Sequence, residues 1–190
     1  MPHVTPPPMQ PRMHLPSLLA AIAIKMTSRG PVFYRSERIG LDGEPFTMIK
    51  FRSMVVDAEE RLDELLPSNE MAGGVMFKMR EDPRVTLVGK VLRRYSIDEL
   101  PQFINVLLGD MSVVGPRPHM LKHTEEYSKL IDKYMVRHLV KPGITGWAQV
   151  TGFRGETKEL WQMEGRVERD IWYLEHWTFV LDLYIIYKTV

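Results

Sequence analysis

Residues 96–107, SIDELPQFINVL, decide how this chain is read. Ser96 followed three residues later by Glu99 is the capping-box pattern at a helix start. Leu100, Phe103, Ile104 and Leu107 then recur on one helical face. The spacing predicts a helix over 97–107 with Asp98 and Glu99 in its first turn. Two roles fit the adjacent acids. Glu99 can return a hydrogen bond to the Ser96 backbone, an ordinary capping task. The pair can also serve chemistry, because the positive end of a helix keeps Asp98 ionised and so able to act as a nucleophile or metal ligand. Just upstream, Arg93 and Arg94 offer guanidinium forks that match phosphate oxygens.

Downstream, residues 109–118, GDMSVVGPRP, run an apolar triplet into a stiff turn. Pro116 and Pro118 restrict the backbone on both sides of Arg117 and pre-aim its side chain, although proline turns are also ordinary loop punctuation. Residues 140–150, VKPGITGWAQV, form a second glycine-punctuated loop, which Gly152-Phe153-Arg154-Gly155 continues. On the other side, Val85, Val88, Val91 and Leu92 have helical spacing within 83–94. Residues 31–35 and 46–51 read as two short strands joined through the turn signal Asp42-Gly43, with Arg35, Arg38, Lys50 and Arg52 punctuating them. Residues 57–66 carry a helical pattern and 67–74 a polar loop.

The chain has 190 residues, enough for one domain with a core. Twenty-five Lys and Arg against 24 Asp and Glu leave a net charge of +1. Global attraction to nucleic acid is therefore not indicated, and any anion site must be local. The absence of cysteine excludes disulfides, thiolate metal sites and cysteine catalysis. No phosphate loop of the Walker or dinucleotide type is present, which argues against a soluble nucleotide-binding protein. Residues 15–24, LPSLLAAIAI, are apolar but fall short of the roughly 20 needed to span a bilayer. They fit a buried core helix or a helix that dips partly into a membrane. Residues 1–14 read as a disordered, proline-broken leader ahead of a single domain over 15–190. Trp161, Trp172, Tyr173, Trp177 and Phe179, beside Arg166 and Arg169, suit either headgroup contact or core packing.

The series SRGPVFYRSERIG, FTMIKFRSM, EDPRVTLVGKVLRRYSIDELPQFINVLLGDMSVVGPRP, KPGITGWAQVTGFRG and RDIWYLEHWTFVLDL resembles the bacterial sugar transferase family. These are monotopic polyprenyl-phosphate hexose-1-phosphate transferases that initiate exopolysaccharide, O-antigen and capsule assembly. The resemblance implies an α+β fold, mostly helical, with a small antiparallel hairpin. It also implies transfer of a hexose-1-phosphate from a UDP-sugar to undecaprenyl phosphate, with release of UMP, at the cytoplasmic face of the bacterial inner membrane. Asp98 matches the family's nucleophile, which forms a covalent phospho-sugar intermediate. Glu99 matches its Mg²⁺ ligand, with Asp98 a second candidate for the metal. Arg117 resembles its phosphate-binding arginine, and Lys50, Arg93, Arg154 and Asp170 fall where the pocket would be lined, with Arg52 and Gln149 as supports. Local alternatives stay open, with Lys50 and Arg52 as the solvated face of an edge strand and Asp170 as a helix-surface acid. Membrane lipid is the further partner implied, and a homodimer is compatible with the resemblance. Family members enter the membrane by a re-entrant helix broken near the position of Pro16. Only its second arm, within 15–27, is recognisable, so a truncated N-terminus and weak anchoring are expected. A non-catalytic scaffold is the alternative, and the intact Asp98, Glu99 and Arg117 speak for the enzyme. The sugar is not readable, with glucose or galactose the default.

Overall fold

A computed structural model of the chain describes residues 14–68, 79, 81–155 and 159–189. The leader therefore lies outside the described residues except for His14, as does most of the 67–74 loop. The fold is α+β and mostly helical, as expected.

Helix α1, His14–Thr27, opens the described chain and holds Pro16 in its first turn, where the missing N–H costs nothing. Its small or slender residues Ala20 and Ile24 are buried, whereas Leu18, Leu19, Ile22 and Met26 point outward, Met26 at 80% exposure. The segment is not a wholly buried core helix, since one face packs the core and the other leaves hydrocarbon exposed. Strands β1, Phe33–Ile39, and β2, Pro45–Phe51, pair antiparallel from Phe33 opposite Phe51 to Ile39 opposite Pro45. The hairpin was legible, but β1 starts two residues later and runs four further than expected. It turns through Leu41–Gly43, with Asp42 and Gly43 at φ of 55° and 81°. Arg52 is buried and donates to the carbonyls of Arg29 and Ser28 and to the Ser28 hydroxyl. It thus ties β2 to the carboxyl end of α1 rather than lying on a solvated edge.

The pattern over 57–66 yields turns, the single-turn helix α2, Leu62–Leu65, and the start of a 3₁₀ turn at Leu66–Ser68. Helix α3, Leu87–Arg94, begins later than the pattern at 83–94 implied, because the Thr86 hydroxyl caps it by accepting from the Gly89 amide at 2.9 Å. Gly89 is required here, since a Cβ would run into the Ser53 carbonyl of the chain leaving β2. Phe51, Leu92, Ala20 and Ile24 form one small core, against which Ile97 and Leu100 pack.

The helix expected over 97–107 is broken in two. Ile97–Glu99 is a 3₁₀ turn, and α4 proper is Gln102–Leu108, ended by Gly109 in the left-handed region. The capping box is absent, since Ser96 sits at φ 55° and its side chain caps nothing. Pro101 is the reason. It has no N–H to give the Ile97 carbonyl, which accepts from Leu100 at 3.1 Å instead.

Strand β3, Ser112–Val114, and strand β4, Gly143–Thr145, pair in parallel, bringing together the two glycine-punctuated loops. A Cβ on Gly143 would strike the Gly115 backbone. Helix α5, Leu121–Leu130, a 3₁₀ stretch at Tyr134–Leu139 and helix α6, Leu160–Glu175, enclose a core of Tyr127, Ile131, Tyr134, Met163 and Val167. Helix α7, Phe179–Thr189, buries Ile185 against Val114 and Tyr173 and exposes most of its other apolar side chains. No helix among the described residues is long and apolar enough to cross a membrane.

Candidate active site

The acid pair lies on the 3₁₀ turn, where successive side chains diverge by about 120°. Glu99 faces the hairpin. Its Oε1 accepts from Lys50 Nζ at 2.8 Å and from Arg117 Nη2 at 2.6 Å, and Oε2 accepts from Arg117 Nη1 at 3.4 Å. Burial pushes the Glu99 carboxyl up, but the charges of Arg117 and Lys50 prevail and hold it at about 2. Burial also pulls Lys50 below its ordinary value, against the attraction of Glu99, so the pair's net gain is smaller than the Glu99 shift alone suggests.

Asp98 is different. It is half-buried, and no side chain among the described residues hydrogen-bonds its carboxylate. Burial raises its pKa, opposed by Lys50 and Arg93 and reinforced by Glu99. The sequence reading expected a helix dipole to keep Asp98 acidic. With the 3₁₀ turn in place of the helix start, burial decides and the shift is upward.

Lys50 reaches the pair because β2 is fixed on α4. Asn105, 1% exposed, accepts from the Ile49 amide at 3.0 Å and donates to the Thr47 carbonyl at 2.8 Å, acting as one further strand partner for β2. Arg93 anchors its Nε on the Ser53 hydroxyl at 2.8 Å, and its charge is felt at Asp98. Arg154 is exposed and touches Ser96 at 3.3 Å, one turn from the acids.

Asp170 is neither a surface acid nor a direct neighbour of the pair. It is 2% exposed and accepts from Arg137 Nε at 2.9 Å and Nη2 at 2.7 Å. Arg137, 1% exposed, also donates to the Arg117 carbonyl at 2.8 Å and to His119 Nδ1 at 2.8 Å. The Tyr134 hydroxyl meets the same Nδ1 at 2.6 Å. Because a guanidinium can only donate, Nδ1 accepts and the imidazole proton sits on Nε2. Burial, then the charges of Arg137 and Arg166, keep His119 neutral. Asp170 thus supports the Pro-Arg-Pro turn at one remove. Gln149 lies in the wide turn Gln149–Phe153, with its Oε1 buried and unpartnered among the described residues.

Lys50, Arg93, Asp98, Glu99 and Arg117 therefore converge, Arg154 stands at the rim, and Asp170 lies behind. Asn105, His119, Tyr134 and Arg137 were missed in the sequence. The one signal is Asn105, a polar residue inside the apolar run FINVLL, and nothing local marks the other three. Of the aromatics, Tyr173 is core and bonds Asp182 at 2.7 Å. Trp172 stacks between Trp147 and His176 yet stays partly exposed, as Trp161, Trp177 and Phe179 are more fully. Arg166 is buried on the carbonyls of Phe153 and Gly155, and Arg169 stacks on the Phe153 ring, so neither is free for headgroups.

The family described as bacterial sugar transferase matches residues 12–190. The chain belongs to that family. Among its relatives is the UDP-glucose:undecaprenyl-phosphate glucose-1-phosphate transferase of Escherichia coli (strain K12), 51% identical over 90% of this chain and 34% of that protein. The protein of the same description from Klebsiella pneumoniae is 52% identical over 91% of this chain and 35% of its own length. The uncharacterized sugar transferase EpsL of Bacillus subtilis (strain 168) is 41% identical over 90% of this chain and 73% of its own length. The chain thus spans about a third of the first two bacterial sugar transferases and most of the third.

Proposed function

We propose that this chain transfers a hexose-1-phosphate from a UDP-sugar to undecaprenyl phosphate. The observation that carries the reading is the division of labour within one acid pair, Glu99 clamped by two cations and Asp98 left half-buried and without a side-chain partner. An Asp98 oxygen attacks the sugar-bearing phosphorus, and the bridging P–O bond breaks, its electron pair leaving on UMP. A phosphate oxygen of the lipid then attacks the same phosphorus, freeing the Asp98 carboxylate and giving the lipid diphosphate-sugar. The covalent relay avoids a direct meeting of two phosphate anions. A raised pKa makes the ionised carboxylate a better nucleophile, and the flanking Lys50, Arg93 and Arg117 stabilise charge on the diphosphate.

Mg²⁺ fits this donor set as a guest of the substrate. Two neighbouring carboxylates are what the ion takes from protein when phosphates and water complete its shell, and the described residues hold no cluster of three or more metal-ligating side chains. Glu99 Oε2, less engaged than Oε1, and Asp98 would hold it. When bound, the ion neutralises diphosphate oxygens and eases departure of UMP.

Glucose is the proposed sugar, because relatives above half identity are described as glucose-1-phosphate transferases. The exposed apolar faces of α1 and α7 support work at a bilayer surface, which we place at the cytoplasmic face of the inner membrane. Incubation with undecaprenyl phosphate and a panel of UDP-sugars should release UMP fastest with UDP-glucose. No release with any donor would refute the reaction, and failure to float with anionic vesicles would refute the membrane placement.

A further inference from the structure

On the face of the hairpin that presents Lys50 there is one further cation, which the site as described does not use. Alternate residues of a strand share a face, and Tyr34 lies opposite Lys50 while Arg38 lies opposite Phe46. Tyr34, Ser36 and Arg38 are therefore on the face that presents Lys50 to Glu99. The end of β1 is pinned beside the Pro-Arg-Pro turn. The Ile39 amide donates to the His119 carbonyl at 3.1 Å, and Ile39 and Gly40 line one small cavity with Pro116, Arg117 and Pro118. Arg38 shares the Lys50 face of the hairpin and the charge of Arg117 reaches it, so Arg38 stands with Lys50, Glu99 and Arg117 around one site. Four residue steps of strand carry Tyr34 to Arg38, roughly 13 Å at the extended rise.

Arg38 differs from the other cations of this group in having no carboxylate. The single hydrogen bond of its guanidinium among the described residues runs to the Glu37 carbonyl at 3.3 Å. Arg117 has Glu99, and Arg137 has Asp170. Burial lowers the pKa of Arg38, Tyr34 opposes this, and the charge of Arg117 adds to the lowering. From α5, His123 also feels the charge of Arg38. Ser36, between Tyr34 and Arg38, has a buried hydroxyl with no partner among the described residues. A half-buried guanidinium held beside a second one is costly unless an anion joins them.

We propose that Arg38 is an oxyanion ligand of this site, binding a phosphate of one of the two substrates beside Lys50, Glu99 and Arg117. The inference rests on the phosphotransfer reading, and either the nucleotide diphosphate or the polyprenyl phosphate supplies the shared chemistry. The test compares Arg38→Ala and Arg38→Lys with the parent, and with Arg35→Ala as a control on the opposite face of β1. Donor-only UMP release, the KM for each substrate and the binding of inorganic pyrophosphate by calorimetry are measured on the full chain, with thermal melting alongside.

If Arg38 holds the donor, Arg38→Ala slows donor-only release and raises the UDP-sugar KM at least tenfold. If it holds the lipid phosphate, donor-only release is unchanged and the undecaprenyl phosphate KM rises by a similar factor. Either result supports the proposal when Arg38→Lys recovers part of the loss, Arg35→Ala has none and melting is preserved. Both KM values and pyrophosphate affinity within twofold of the parent would overturn it. Should the parent release no UMP, the phosphotransfer reading fails by itself. Pyrophosphate affinity then decides, a tenfold loss in Arg38→Ala supporting the oxyanion site and an unchanged value overturning it.

Discussion

Glu99 and Asp98 are neighbours with opposite fates, and the difference is one of partners. Glu99, at about 2 in the folded chain against 4.5 for a free glutamate, favours the folded state wherever it is ionised. Its folded pKa is depressed, so that stability is fully present above pH about 4.5 and lost as pH falls toward 2. Glu99→Gln should flatten this acid-side loss, read as urea midpoints at pH 5 and pH 3. The same change should cut activity by about 100-fold and raise the Mg²⁺ requirement, because the side chain that holds Arg117 and Lys50 in place has lost its charge. Retained activity at unchanged magnesium dependence would reduce Glu99 to a structural contact of Lys50 and Arg117, since the capping box is absent. The acid pair was legible because its residues are adjacent. Asn105 and Arg137 were not, and Asp170 was named without its partner, since these contacts span 33 to 58 residues or end on loop carbonyls and no local pattern encodes that.

At the scale of elements, the site depends on a broken helix and a buried strut. Local propensity wrote a capping box at Ser96, and Pro101 overrode it by removing one amide. That proline was visible in the sequence, and its effect on the Ile97 carbonyl was there to be weighed. The hairpin was readable from Asp42-Gly43 because turn chemistry is local. The parallel pairing of β3 with β4 was not, because two three-residue strands whose partners lie 31 positions apart carry too little alternation to announce each other. The strut gives the sharpest stability prediction. Asp170→Asn leaves the Arg137 charge buried without its partner, a loss of about 3 to 5 kcal/mol by the usual cost of orphaning one member of a buried pair. Urea unfolding checks this, with Glu168→Gln, an exposed acid on the same helix, expected within about 0.5 kcal/mol of the parent. A small loss at Asp170 would show that Arg137 finds other support, and that the Arg117 carbonyl is not held through this chain.

Across the whole molecule, several small cores take the place of one large one, and much apolar surface stays outside, Leu107 at 87% exposure among it. The hairpin was legible from pattern, and the α+β class followed from the family resemblance. The two-sided character of α1 was not, because its apolar residues cover every face and periodicity cannot say which of them meets the protein. What the assembled molecule does is set by where its charges converge, with cations from the hairpin, α3 and the Pro-Arg-Pro turn around a carboxylate that no side chain among the described residues hydrogen-bonds. The central claim is that this carboxylate, Asp98, carries the sugar phosphate between donor and acceptor. It is tested most directly by incubating the chain with UDP-glucose and Mg²⁺ in the absence of lipid acceptor and mapping covalent adducts by mass spectrometry. A hexose-phosphate adduct on Asp98, discharged on adding undecaprenyl phosphate and absent from Asp98→Asn, is the predicted result. An adduct on another residue, or near-parental turnover by Asp98→Asn, would contradict the account.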